Sequence, residues 1–138
     1  MNYTFEILGA PVAKGRPRMT RSGHAYTPQK TRDYEAWVRL CWRHAGRPMS
    51  LQPLQVKLGF YLPIPKSYSK KQREAALAGV LLPTKKPDID NLVKAVLDGL
   101  NGLAYQDDKQ IVALEAAKGY VAAPLVQVTL QEVGQDDG

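Results

Sequence analysis

Residues 85–112, KKPDIDNLVKAVLDGLNGLAYQDDKQIV, decide the fold of this chain, because they combine its most regular amphipathic pattern with its densest acidic cluster. Their apolar side chains recur at the i, i+3, i+4, i+7 spacing of a helix that buries one face. Pro87 and Asp88 mark the predicted start of this helix, and Gly102 marks its end. The predicted buried stripe comprises Ile89, Leu92, Val93, Val96, Leu97 and Leu100.

The acidic side chains of the same stretch predict a divalent-metal site. Asp88 and Asp90 fall at the helix start, and Lys94 follows Asp90 by one turn. Asp108 comes after a short connection, and we expect it to complete the ligand set once the chain reverses. Carboxylate oxygens suit Mg²⁺, and such an ion can activate water and neutralise phosphate charge in phosphodiester hydrolysis. Lys94 would stabilise phosphate charge or polarise the water.

Simpler explanations of these residues remain open from the sequence. Asp88 or Asp90 could cap the helix, and Asp90 could pair with Lys94 on its surface. Asp107 and Asp108 could form a turn. A second metal-nuclease pattern, Pro-Asp followed by (Asp/Glu)-x-Lys, does not match, because residues 115–118 (EAAK) have one residue too many and residues 107–109 (DDK) have none between acid and lysine.

Composition limits the possible architectures. The chain has 138 residues, 44% of them apolar, which predicts one globular domain over residues 1–133 and a polar tail over residues 134–138. Charges or prolines interrupt every apolar run, so no membrane span or membrane partner is expected. Cys41 is the single cysteine, and the N-terminus lacks the pattern of a signal peptide, so we expect a cytosolic protein.

Positive charge is concentrated at the front of the chain and indicates a polyanionic partner. The net charge is +6, and nine Lys or Arg residues precede residue 48 against three acids. Residues 9–19, GAPVAKGRPRM, predict an extended arm, in which alternating cations would point the same way along a phosphate backbone. Solvated surface charge is the simpler alternative. The predicted DNA contacts are Lys14, Arg16, Arg18, Arg21, Lys85 and Lys86.

The remaining patterns predict an α+β fold, with helices packed on a single mixed sheet of about four strands. Alternating apolar residues predict strands over residues 3–8, 54–62, 111–121 and 125–132. A helix is predicted from Thr27 to Ala45, with Thr27 as N-cap and Pro28 in its first turn. A shorter helix over residues 70–78 would follow a cap at Ser67 or Ser69.

Taken together, PDIDNLVK, the DGL at the helix end and AYQDDKQ resemble the signature of the RusA family of Holliday junction resolvases. Residues 9–18, GAPVAKGRPR, resemble the opening of one branch of that family. The resemblance implies a RusA-like fold and a homodimer, of phage or prophage origin in many members, that nicks two opposed strands of a four-way DNA junction. It implies Mg²⁺ as cofactor, with Mn²⁺ as its substitute, and no small-molecule cofactor. The implied essential residues are Asp88, Asp90 and Asp108 with Lys94, and Asp98 and Asp107 would support them.

Two other functions remain open at this point. A non-catalytic DNA-binding protein would use its acids as caps and surface pairs and would bind DNA without cutting it. A metal-dependent nuclease for flaps or replication forks would share the chemistry but prefer another branched substrate.

Overall fold

The computed structural model describes residues 2–134, which fold as a four-stranded mixed sheet with helices on one face. The sheet strands are β1 (Asn2–Leu8), β4 (Leu54–Pro63), β5 (Ile111–Val121) and β6 (Leu125–Glu132), in the order β1-β6-β4-β5. Strand β6 is antiparallel to both of its neighbours, whereas β4 and β5 are parallel. The predicted α+β class and mixed sheet are confirmed. Of the predicted polar tail, residues 135–138 lie outside the described residues.

Period-two alternation in the strands places the core on one face of the sheet. Along β4 every second side chain is buried, and the β6 partners of Val56, Leu58 and Phe60 are buried with them. The opposite face carries polar residues such as Lys57 and Glu115. The sheet therefore presents a single apolar face, built mainly from Phe5, Ile7, Leu54, Val56, Leu58, Phe60, Val126, Val128 and Leu130.

Two helices contribute to this core, α1 (Gln29–Ala45) and α3 (Ile89–Leu100). Helix α1 ends as predicted at Ala45, and Gly46 follows it in the left-handed conformation with φ 69°. Its predicted N-cap, Thr27, is wrong. Pro28 occupies that position with an extended backbone (ψ 145°), and no side chain caps the helix.

Helix α3 packs closely against α1 because a glycine lies at their crossing. A Cβ on Gly99 would meet the side chain of Val38 at 3.0 Å. Of the predicted stripe, Leu92, Val96 and Leu100 are fully buried and Val93 and Leu97 half-buried, whereas Ile89 is exposed. Because α1 also covers α3, the buried surface extends beyond the predicted stripe to Ala95 and Gly99.

Two smaller elements complete the described fold. Helix α2 (Lys70–Leu77) begins at Ser69, whose side chain accepts a hydrogen bond from the Gln72 amide, as one predicted alternative proposed. Strands β2 (Arg18–Met19) and β3 (Ala25–Tyr26) form a small antiparallel hairpin. Across residues 2–134, none of the helices has the length and apolar character needed to cross a membrane.

Candidate functional site

Asp88 occupies the N-cap position of α3, but its carboxylate does not cap the helix. Its backbone is extended (φ −72°, ψ 142°), and its carbonyl accepts the Leu92 amide at 3.1 Å. No side-chain capping bond forms, and the residue is exposed. The capping explanation therefore fails for the Asp88 side chain. Its carboxylate points into solvent at the end of a helix where the macrodipole favours negative charge.

Asp90 and Lys94 lie on the exposed side of the same helix, one turn apart. Both residues are exposed. The surface ion pair between Asp90 and Lys94, which the sequence left open, is not among the ion pairs formed within residues 2–134. The N-terminal end of α3 thus presents two carboxylates and one ammonium group, none of them committed to an ion pair in that part of the chain.

The acidic turn after α3 is held by Gln110. The Gln110 carboxamide accepts the backbone amides of Gln106 at 2.8 Å and Asp107 at 3.0 Å. Its amide nitrogen donates to the carbonyls of Ser50 at 2.9 Å and Gln52 at 3.0 Å. All of its strong hydrogen-bonding groups are therefore used to fasten this turn to the segment before β4.

The two acids of the turn differ in role. Asp107 accepts the Lys109 amide at 2.9 Å and caps a short 3-10 turn, Asp108–Gln110, so the turn explanation holds for Asp107. This hydrogen bond, together with one from Asp108, lowers the pKa of Asp107. The pKa of Asp108 is raised, first by its hydrogen bond with Asp107 and then by desolvation and nearby negative charge. The hydrogen bond between the two carboxyl groups thus shifts their pKa values in opposite directions.

Asp108 lies at the far end of α3 from Asp88. Its amide donates to the side chain of Asn101, the residue that ends the helix, at 3.2 Å. The neighbouring Tyr105 hydroxyl donates to Leu97 at 2.5 Å, and burial followed by the charges of Asp108, Asp98 and Asp107 raises the pKa of Tyr105.

The three predicted ligands therefore do not converge within one chain. Asp88 and Asn101 bracket the 12 residues of α3, which at about 1.5 Å per residue separates them by roughly 20 Å. Within residues 2–134, no three acidic, histidine or cysteine side chains form a group that could hold a metal ion. The expectation that the chain reversal returns Asp108 to Asp88 in the same molecule is corrected. The assignment of Asp88, Asp90 and Asp108 as metal ligands stays a prediction.

The basic arm is only partly free. The Lys14 ammonium donates to Asp98 and, at 3.3 Å, to Glu35, and its amide donates to the Asn91 carbonyl at 2.9 Å. Desolvation alone would lower the pKa of Lys14, but the hydrogen bond and charge of Asp98, with those of Glu35, raise it overall. Lys14 thus fastens the arm to α1 and α3, and DNA would have to compete with two carboxylates for it. The other predicted DNA contacts are all exposed: Arg16, Arg18, Arg21, Lys85 and Lys86.

Sequence reasoning missed two residues that the structure connects to these acids. In the sequence, Gln110 appears only as the last residue of a short Asp-Asp-x-Gln pattern. Nothing in that pattern indicates its hydrogen bonds to the carbonyls of Ser50 and Gln52. Lys118 donates to the carbonyls of Pro87 at 3.0 Å and Lys85 at 3.2 Å, directly before Asp88. The rejected Pro-Asp…Lys pattern contained this lysine, but spacing alone could not show the contact.

Comparison with known proteins identifies the family. A family model described as "Endodeoxyribonuclease RusA" matches residues 9–131. The chain belongs to the RusA family. It is therefore an endodeoxyribonuclease, a hydrolase of the Holliday junction resolvase class that binds branched DNA, and enzymes of this family generally depend on a divalent metal.

A bacterial relative matches nearly the whole chain. The "Uncharacterized protein YqaN" of Bacillus subtilis (strain 168) is 42% identical over 135 residues, which cover 94% of this chain and 95% of that protein. The two chains therefore align over nearly their whole lengths.

We expect Gln110→Glu to loosen the acidic turn, because it places a negative oxygen against the carbonyls of Ser50 and Gln52. The free energy of unfolding should fall by about 1–3 kcal/mol near neutral pH. Repulsion raises the folded-state pKa of the new carboxyl above its unfolded value. The deficit should therefore shrink as pH falls, since a protonated acid can donate to a carbonyl.

Denaturant unfolding at about pH 7 and about pH 4, on either side of the usual glutamate pKa, measures this effect. Gln106→Glu adds the same charge at an exposed position of the same turn and serves as the control. Equal stability of the two variants at both pH values would contradict the structural role of the Gln110 amide.

Proposed function

We propose that this RusA-family enzyme resolves four-way DNA junctions by paired, symmetric, Mg²⁺-dependent nicks. The observation that carries the proposal is the end of α3, where the Asp88 carboxylate occupies an N-cap position without capping the helix. A carboxylate in that position ordinarily hydrogen-bonds the first turn, so its release leaves it available for another partner. Asp90 and Lys94 extend the same exposed surface.

The donor set at this end suits a hard cation but is incomplete. Asp88 and Asp90 offer carboxylate oxygens, the ligand type that Mg²⁺ prefers and Mn²⁺ also accepts. When bound, the ion supplies a nucleophilic water at neutral pH and neutralises charge on the phosphate. Lys94 would contribute a fixed positive charge to the scissile phosphate from the next turn of the helix. A third carboxylate would have to come from outside this end of the chain, since Asp108 lies at the other end of α3.

A homodimer would supply both the symmetry and the missing carboxylate. Two symmetric cuts in a two-fold substrate call for two sites related by a two-fold axis. Strand β5 is an edge strand of the sheet, and two of its apolar side chains, Val112 and Leu114, are exposed. Such an edge favours pairing with another chain. We propose antiparallel pairing of two β5 strands about Leu114.

This pairing would bring opposite ends of the two α3 helices together. An antiparallel pair centred on Leu114 sets Gln110 of one strand opposite Lys118 of the other. Because Lys118 contacts the segment before Asp88, Asp108 of the partner subunit would approach Asp88 and Asp90. Each site would then be shared between two subunits, and each dimer would hold two sites.

The exposed cations of the first 30 residues would hold the DNA backbone. No acid occurs between Ile7 and Arg32, and Arg16, Arg18 and Arg21 are exposed on the arm and hairpin. Lys85 and Lys86 add positive charge beside Asp88. These contacts neutralise phosphates without reading bases, which suits recognition of a junction by its shape.

We expect Asp88→Asn to abolish cleavage while leaving junction binding largely intact, because the amide keeps the shape but loses the charge. The assay compares a labelled four-way junction with linear duplex, with and without Mg²⁺, alongside a mobility-shift measurement. Asp33→Asn, which alters an exposed acid on α1, is the control. Cleavage of flaps or forks in preference to junctions, or scission by Asp88→Asn, would contradict the proposal.

We expect Arg16→Gln and Arg18→Gln each to weaken junction binding and to reduce the slope of log affinity against log salt by about 0.9. Arg43→Gln is the matched control and should leave the slope unchanged, because Arg43 lies in the last turn of α1 whereas the arm contacts Thr31 near the start of that helix. Measurement at several salt concentrations decides the outcome. An unchanged slope for both arm variants would remove the arm from the interface.

We expect two inactive variants, Asp88→Asn and Asp108→Asn, to restore nicking when they are co-refolded. If the site is shared, each mixed dimer keeps one site in which both Asp88 and Asp108 are intact. Because about half of the dimers are mixed and each has one of two sites, about a quarter of wild-type nicking should return, as single nicks. Each variant refolded alone is the control. Formation of mixed dimers without any nicking would show that the site is not shared in this way.

A further inference from the structure

Within residues 2–134, Lys118 is the one side chain of β5 that hydrogen-bonds to the segment leading into Asp88. Its ammonium group donates to the Pro87 carbonyl at 3.0 Å and to the Lys85 carbonyl at 3.2 Å. The residue is half-buried, and within residues 2–134 it forms no ion pair with a carboxylate. Its positive charge is therefore committed to two main-chain carbonyls immediately before the N-cap of α3.

The register of the sheet explains why Lys118 reaches this segment and Glu115 does not. Lys118 is the cross-strand partner of Phe60, which is buried on the face covered by the helices. Glu115 partners Lys57 on the opposite face, and their charged groups are 4.0 Å apart. The acid of the sequence EAAK thus faces away from Asp88, whereas its lysine faces toward it.

The hydrogen bonds of Lys118 restrict the conformation of the loop before Asp88. Hydrogen bonds from a charged donor are stronger than those between neutral groups. Two of them converge here on carbonyls two residues apart in one loop. Fixing the Lys85 and Pro87 carbonyls limits rotation of the peptide that enters Asp88. The conformation of that peptide sets the direction in which the Asp88 side chain leaves the helix end.

We propose that Lys118 is a positioning residue of the nuclease site, which holds residues 85–87 so that Asp88 is presented to metal and substrate. The inference rests on the proposed role of Asp88 in cleavage. Lys118 acts through the loop and does not itself contact the substrate.

The test uses Lys118→Met, which keeps the length of the side chain but removes the donors, and Lys118→Arg, which keeps the charge and can donate to two carbonyls. Lys57→Met makes the same change on the opposite face of the sheet and is the matched control. Two quantities are measured for each protein: amide hydrogen exchange over residues 84–90 without DNA or metal, and kcat and KM for junction cleavage.

We expect Lys118→Met to exchange faster over residues 84–90 and to lose roughly 10- to 100-fold in kcat, as when a group that orients a metal ligand is removed. KM should change much less, because the exposed phosphate-binding cations remain. Lys118→Arg should keep most of the wild-type kcat and most of the protection from hydrogen exchange over residues 84–90. Lys57→Met should match the wild type in both.

Unchanged exchange in Lys118→Met overturns the positioning role, whatever happens to kcat. Faster exchange with wild-type kcat overturns the link to catalysis. Exchange that rises throughout the sheet of Lys118→Met, with no recovery in Lys118→Arg, also overturns the inference, since it assigns Lys118 to general stability. If the wild type itself cleaves no branched DNA, the proposed function fails and the inference fails with it; if the wild type cleaves and Lys118→Met equals it, the inference alone fails.

Discussion

The burial of helix α3 between α1 and the sheet is the constraint on which the other features of this molecule depend. Leu92, Val96 and Leu100 are each at most 1% exposed, and Gly99 allows α1 to approach without a gap. Burying three such side chains stabilises the fold by several kcal/mol, at about 1.5–3 kcal/mol each. With its apolar face fixed in this way, α3 cannot rotate, and the opposite face must carry Asp90, Lys94 and Asp98 toward solvent and the basic arm.

Fixing the helix also fixes its two ends, and each end is tied to the rest of the chain by a polar contact. At the C-terminal end, Gln110 fastens the acidic turn to the segment before β4, and Lys14 holds Asp98. At the N-terminal end, Lys118 holds the loop before Asp88. The Lys14 and Lys118 ammonium groups and the Gln110 amide are therefore engaged in contacts within the fold. The carboxylates of Asp88 and Asp90 are left without ion pairs inside the described chain.

Local patterns in the sequence predicted the elements well because each one depends on its own residues. The alternation in β4 and β6, the spacing of α3 and the Ser69 cap of α2 all match the structure. The N-cap of α1 was wrong by one residue, since Pro28 keeps an extended backbone instead of entering the helix. The family could also be identified from the sequence, because its signature combines several elements in one stretch.

Contacts between distant residues could not be predicted, because sequence spacing carries no information on how elements pack. Lys14 alternates with Arg16 and Arg18, yet it alone meets Glu35 and Asp98, which lie 21 and 84 residues away. Lys118 and Pro87 are 31 residues apart, and their contact depends on β5 returning beside β4 in the parallel direction. Asp88 and Asp108 belong to one short signature, yet the intervening helix separates them.

The separation of the acids along α3 also has an electrostatic consequence. Five aspartates in one compact cluster would repel one another strongly in the absence of metal, at a cost that rises steeply as charges approach. Distributing them over both ends of a helix about 20 Å long reduces that repulsion within each chain. Under the proposed assignment of Asp88, Asp90 and Asp108 as ligands, a complete set would require a second chain, and an isolated subunit would hold only a partial site. A site completed by dimerisation would then restrict cleavage to the symmetric assembly, as the proposed pairing of two nicks requires.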